Sequence, residues 1–179
     1  MDPIRELIAR QQIRDALYRY CRGVDRLDED LIRSAYHSGA IDNHGSYQGD
    51  IDGFIEWVFG NHKGKVLTCV HHIGNVLITF ECDTVAFCES YVFAYHRRMV
   101  DGQLYDLASH GRFNDRHEER NGQWRIVERQ VVFDWDRFDR VEHTFDGPLT
   151  LELEKGRRDR SDASYRYLRP GAPTELQTL

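Results

Sequence analysis

Four polar residues stand in rows that otherwise read as core. Leu17, Cys21 and Asp25 fall at i, i+4 and i+8, one line along a helix, with Tyr20 and Val24 flanking it. A carboxylate in that line is either at the rim of the domain facing water or inside it with a partner. Further on, Leu67, Cys69, His71 and Ile73 share one face of a strand pattern, and Val66, Thr68, Val70 and His72 share the other. His71 and His72 therefore point in opposite directions, and one alone can face an interior. Histidine is the usual general base near neutral pH, and an adjacent carboxylate fixes its tautomer and raises its basicity. The plainer reading is a core histidine satisfied by a backbone carbonyl, which is favoured for His72, His96 and His110. Toward the C-terminus, Val127, Arg129, Val131, Phe133 and Trp135 alternate onto one face. Four of these are large and apolar, so the face is expected to be buried with Arg129 in it. An arginine cannot shed its charge and needs an anionic partner or a polar cavity. That points to a pocket.

Other chemistries lack their signatures. There is no G-x-S-x-G elbow, so nucleophilic catalysis is not indicated. No H-x-x-x-H or H-x-H pair marks a metal site, and no glycine-rich phosphate loop marks a nucleotide cofactor. The reading is metal-free and cofactor-free.

The elements that must position these residues alternate in character. Asp2 and Pro3 suit the start of a helix over 4–27. Asp28-Glu29-Asp30 opens a short second helix, and Ile51, Phe54, Ile55, Val58 and Phe59 fit a third over 51–60, closed by Gly60. A short strand fits 40–43 in the glycine-containing segment between the second and third helices. From there the chain turns to β-branched and aromatic runs over 66–73, 75–81, 84–98, 103–117 and 123–138. Asp101-Gly102 and Asn121-Gly122 mark reversals, because both central residues of a type I′ turn need φ > 0. Three helices followed by long hairpin-linked strands imply an α+β fold: helices on one face of a curved antiparallel sheet, closing a cone-shaped cavity. Residues 1–154 are read as one domain and 155–179, where charge alternates with glycine and proline, as a peripheral extension ordered on a partner subunit. Phe54, Trp57, Tyr91, Phe133 and Trp135 are candidates to line an apolar pocket, core packing being the plainer role of such aromatics.

With 40% hydrophobic and 30% charged residues the chain reads as a soluble globular protein. Its formal charge of −6, without a basic stripe, argues against nucleic acid as a partner. Neither a signal segment nor a run of membrane-spanning length is seen, so a cytoplasmic, reduced setting is expected, with Cys21, Cys69, Cys82 and Cys88 as small buried hydrophobes. A convex sheet face bearing Val92, Ala94 and Val132 would favour dimerisation through the sheet.

Gly23-Val24-Asp25 and Asp28-Glu29-Asp30-Leu31 come first in the chain, followed by Val70-His71-His72-Ile73-Gly74-Asn75. Gly111-x-Phe113-x-Asp115 and Arg120-Asn121-Gly122-x-Trp124-Arg125-Ile126 close the series. In this order the motifs resemble the SnoaL-like branch of the nuclear transport factor 2-like superfamily. Within it the resemblance is to scytalone dehydratase, hexachlorocyclohexane dehydrochlorinase and bile-acid 7α-dehydratase. The resemblance implies a cystatin-like cone and a cofactor-free lyase, usually a homo-oligomer, here a dimer or trimer. It implies Asp25 and His71 as a catalytic dyad, Arg129 as a pocket arginine and Tyr20 as the tyrosine of the bile-acid enzyme. Tyr95 and His96 lie near a second histidine of scytalone dehydratase. Asn43 and His44 stand near that enzyme's second tyrosine, a departure that argues against the same substrate. On this reading His71 takes a proton from carbon in a small hydrophobic, cyclic or aromatic substrate, while Tyr20 and Arg129 stabilise the departing group. The alternatives are a non-catalytic partner like the β-subunits of aromatic-ring-hydroxylating dioxygenases, or an isomerase, cyclase or ligand-binding member of the same fold.

Overall fold

The computed structural model of the protein describes residues 1–144 and 148–167. Helix α1 (Pro3–Arg26) opens at Asp2, whose carboxylate accepts hydrogen bonds from the Ile4 and Arg5 amides at 3.0 and 3.2 Å. It closes at Leu27, in the left-handed region at φ 51°, and Asp28 at once caps α2 (Glu29–Ala35). The two helices approach closely at Gly23, where a β-carbon would stand 2.7 Å from Ile32 Cγ1 and 2.8 Å from its amide nitrogen. Only glycine fits there. Helix α3 (Ile51–His62) runs through Gly60 and ends on an extended Lys63, so Gly60 is interior and not the stop.

Six strands form one curved, unclosed sheet in the order β2-β1-β6-β5-β4-β3: β1 (Tyr36–Asn43), β2 (Gln48–Asp50), β3 (Val66–Cys82), β4 (Val85–Val100), β5 (Gln103–Arg120) and β6 (Gln123–Arg140). The α+β class is as expected, and β3 to β6 are an antiparallel meander. The central turns hold Asp101-Gly102 and Asn121-Gly122, all four residues at positive φ. Two features differ from the expectation. Strand β1 pairs parallel with β6, and the two stretches read as separate strands over 66–81 are one strand kinked at Gly74-Asn75, where an extra residue forms a bulge.

The concave face of the sheet meets the helices. Ile13 and Leu17 pack with Ile78, Ala86 and Trp124, while Tyr20 and Val24 join Ile32, Phe54, Phe113 and Ile126. Each fully buried side chain of this size contributes about 1.5–3 kcal/mol, so the face fixes α1 on the sheet. Along β4 the inward row is Ala86, Cys88, Ser90 and Val92. Val92 therefore faces the interior, not the convex side where it was expected. Cys82 is exposed, unlike the other three cysteines.

Two bulges re-aim β6. Val127 is an extra residue opposite the Arg116/His117 step, and Asp134 is another opposite His110/Gly111. The inward row is thus Trp124, Ile126, Arg129 and Val131, and the expected continuous apolar face breaks: Phe133 is 64% exposed and Trp135 47%.

Short helices α4 (Pro148–Leu151) and α5 (Ser164–Tyr167) follow the sheet. Part of the C-terminal extension is not peripheral. Arg158 reaches into the helical layer, and the Tyr165 hydroxyl donates to Asp28 Oδ2 at 2.7 Å. Residues 168–179 of the extension lie outside the described residues. Among the described residues, no helix is long and apolar enough to cross a membrane.

Candidate active site

Asp25 occupies the last turn of α1, and His71 sits inward on β3 directly across from it. The Asp25 carboxylate accepts from His71 Nδ1 at 2.7 Å through Oδ1 and from the His71 amide at 3.1 Å through Oδ2. Two contacts to one residue fix the imidazole in position as well as in tautomer. With its proton on Nδ1, the ring offers a lone pair at Nε2. Both side chains are largely buried, at 9% and 13% exposed. Asp25 is thus inside with a partner, and His71, not His72, is the inward histidine. Arg158 fixes the helix end beneath them: its guanidinium donates to the carbonyls of Val24, Asp25 and Val66 at 2.9–3.0 Å. A cation there satisfies the orphan carbonyls of the α1 C-terminus.

A cavity of about 170 Å³ opens beside His71, lined by His44, His96, Val92, Ala94, Phe113, Val131 and Phe133 among others. A groove of about 270 Å³ reaches Asp25 and His71 from the α1 side, past Tyr18 and Arg22. The His96 and His71 rings are 5.7 Å apart, and His62 stands 5.2 Å from His96. Burial first, then the neighbouring cations and imidazoles, push His96 down to about 2 and His62 down to about 3. Both rings are neutral near pH 7. His96 was read as a histidine satisfied by backbone; instead it borders the cavity, and its Nδ1 is buried without a hydrogen-bond partner.

Tyr20 and Arg129 are near the cavity but do not line it. Arg129 is 1% exposed and donates to both oxygens of Asp115 at 2.8 and 2.6 Å, so its anionic partner is a residue of β5. Its guanidinium lies 4.2 Å from the Tyr20 ring centre and 3.9 Å from that of Phe113, which close it off. The bulge at Val127 turns it into this layer. The Tyr20 hydroxyl, driven well above the ordinary phenol range by burial, stays protonated and bonds His44 Nε2 at 3.0 Å. Neither Tyr20 nor Arg129 lines the cavity, unlike the expected direct contact of both with a departing group; His44, bonded to Tyr20, is the residue of this layer that borders it.

The five aromatic candidates divide. Phe133 lines the cavity. Phe54 is fully buried behind it, 4.8 Å from the His44 ring, and Trp57 supports His44 at 6.2 Å. Tyr91 and Trp135 do not line it. Tyr91 alternates out of the buried row of β4, and the extra residue at Asp134 turns Trp135 onto His110, with which it stacks at 5.9 Å. Tyr95 bonds Asp106 at 2.8 Å, away from the cavity.

Sequence reading missed Asp42, the partner of His44 Nδ1, and Tyr36, whose hydroxyl donates to Asp42 Oδ2 at 2.6 Å. The available signal was Ala40, Asp42 and His44 at period two, a carboxylate following a buried alanine. It also missed two sets of donor atoms gathered within 4.8 Å, Asp25/Cys69/His71 and His62/Cys69/His96, since α1, α3 and β4 bring Asp25, His62 and His96 to β3. The Arg158 guanidinium, 3.0 Å from His62 Nδ1, opposes a metal cation in the second.

Solved structures share this arrangement of helices and sheet. A hexachlorocyclohexane dehydrochlorinase, LinA-type3 from Novosphingobium barchaimii LL02, aligns with a TM-score of 0.70 at 16% identity, covering 82% of this chain and 99% of its own. LinA itself aligns at 0.69 with 20% identity, over 83% and 99%. A protein of Novosphingobium aromaticivorans DSM 12444, provisionally assigned as a scytalone dehydratase, aligns at 0.68 with 18% identity, over 76% and 91%. No curated protein matches the chain in sequence. The family model for the SnoaL-like domain matches residues 5–130, a span that runs from the helix carrying Asp25 through the strand carrying Arg129. By that match the chain belongs to the SnoaL-like domain family.

Proposed function

We propose that the protein is a cofactor-independent lyase in which His71, oriented by Asp25, removes a proton from carbon in a small hydrophobic cyclic substrate. The observation that carries this reading is the two-point contact of Asp25 with His71 beside a mostly apolar cavity. A carboxylate at Nδ1 makes Nε2 the basic atom and stabilises the imidazolium formed when it takes a proton. The cavity, small against the roughly 300–1,000 Å³ of sites for drug-sized ligands, suits a compact ring. Its apolar walls exclude water from the carbanion-like centre that develops, and strengthen each remaining polar contact. The dehydrochlorinases and the assigned dehydratase that share the fold support elimination as the reaction class.

The experiment is incubation with hydroxylated and halogenated cyclic compounds in D2O, with products followed by NMR. The expected result is an alkene product together with water or halide, formed at a rate that falls by about 10²-fold or more in Asp25→Asn. Release of neither leaving group from any compound, with no deuterium entering a carbon site, would contradict the reading.

A further inference from the structure

A cavity of about 470 Å³ lies where α1, the end of α2 and the β5–β6 turn meet, and it shares no lining residue with the spaces beside His71. Its volume falls within the roughly 300–1,000 Å³ of sites for small ligands. Gln12 and Arg19 enter it from α1, Ser34 from α2, and Gln123 and Arg125 from the start of β6. Gln12 and Arg19, at i and i+7, stand two turns apart on one face of the helix.

The lining is rich in donors and holds no carboxylate. Gln12 Oε1 accepts from the Trp124 amide at 3.0 Å, which leaves the side-chain nitrogen of Gln12 to donate. Gln123 Oε1 accepts from the Arg125 guanidinium, and its side-chain nitrogen is left in the same way. The Ser34 hydroxyl donates to the Leu31 carbonyl at 2.7 Å, while the Ser34 carbonyl accepts from Arg19 Nη2 at 3.3 Å. Arg19 Nε is buried with no hydrogen-bond partner. A buried cationic N–H without an acceptor is costly, and a bound ion or water is the ordinary remedy. Burial holds the Arg19 guanidinium below its ordinary range; Asp15 opposes that shift and the Arg125 cation adds to it. Neither arginine makes an ion pair among the described residues. Two positive charges thus share one cavity whose walls carry nothing to balance them.

We propose that this cavity binds a phosphate group, held between Arg19 and Arg125 and received by the side-chain amides of Gln12 and Gln123. A phosphate monoester carries about −1.5 to −2 charge near pH 7 and three terminal acceptor oxygens, which matches two guanidiniums and two amides. A carboxylate brings one charge and two oxygens, and leaves one cation unbalanced. The remaining volume accommodates the small organic part of an ester. The site stands apart from the lyase reading and does not depend on it.

The test is calorimetric titration of the full chain with phenyl phosphate, inorganic phosphate and benzoate, at fixed ionic strength with chloride as the balancing anion. The expected result is saturable binding of phenyl phosphate at a single site, with a rise in thermal midpoint. Arg19→Gln and Arg125→Gln each weaken that binding by about tenfold or more. Arg5→Gln, on an exposed turn of α1, leaves it unchanged. Arg19→Gln also gives up the Ser34 carbonyl, whereas Arg125 bonds its near neighbour Gln123, so Arg125→Gln carries the test should the first variant unfold. Tighter binding of phenyl phosphate than of inorganic phosphate assigns the site to an ester, and equal binding assigns it to the free ion; both bear the proposal out. Absence of saturable binding by either phosphate overturns it. Undiminished binding in both arginine variants overturns it too, since the anion then sits elsewhere, and so does benzoate binding as tightly as phenyl phosphate.

Discussion

Asp25 ties both the ring and the backbone of His71, and that redundancy separates it from an ordinary buried ion pair. Its replacement by asparagine leaves the volume unchanged but places an amide where a charge stabilised the imidazolium. Turnover is therefore expected to fall in Asp25→Asn while the fold persists, checked by kcat together with circular dichroism. Other histidines set the acid limit of the fold. His62, His96 and His117 are pushed by burial from an ordinary 6.5 to about 3, 2 and 3. Both nitrogens of His117 are buried without a hydrogen-bond partner. Held neutral when folded, these rings take up protons only in the unfolded chain between pH 6.5 and about 3, so the unfolded state binds more protons there. Stability falls as pH drops through that window, by up to about 1.4 kcal/mol per pH unit for each ring. His117→Phe is expected to remove one ring's share of that slope, read from urea midpoints between pH 4 and 7.

At the scale of elements, the two Asn/Asp-Gly turns and the helix starts at Asp2 and Asp28 were legible because local chemistry dictates them, whereas Gly60, read as the stop of α3, lies inside it. The Asp25 line and the inward His71 were legible for a related reason: a charge or an imidazole stood out within an apolar period. The bulges at Val127 and Asp134 were not, since an extra residue leaves the composition of a strand unchanged and shows only in its pairing. Past each bulge the alternation inverts, which is why Trp135 was read inward and stands outside. His44 and Asp42 were obscured by the glycines around them and by the parallel pairing of β1 with the distant β6, which no local pattern announces. Arg158 belongs to the same class: within a charged tail it resembles a solvated residue, yet it seals the end of the helix that carries Asp25. Arg158→Met keeps most of its bulk but leaves the Val24, Asp25 and Val66 carbonyls without this donor. The expected loss is about 1–3 kcal/mol, measured by denaturant unfolding, with a parallel fall in turnover as Asp25 loses its fixed position.

For the whole molecule, an open sheet leaves apolar side chains at the far end of β6. Phe133, Trp135 and Phe138 are 64%, 47% and 51% exposed. They lie on both faces of the strand end, Phe133 on the cavity side and Trp135 outside. Exposed apolar surface of that extent rarely stays wet, and a second copy of the chain is the occupant expected here. Light scattering on the purified protein should give a mass above that of one chain, and Trp135→Glu with Phe138→Glu should reduce it to one. The architecture that brings α1 against β3 gives the site its central pairing, and everything proposed for function depends on His71 accepting a proton from carbon. The most direct measurement is kcat/KM of His71→Ala on a turned-over substrate, with and without added imidazole. A fall of about 10²–10⁴-fold, partly restored by imidazole, is the expected result. Full activity in His71→Ala without imidazole would contradict the account.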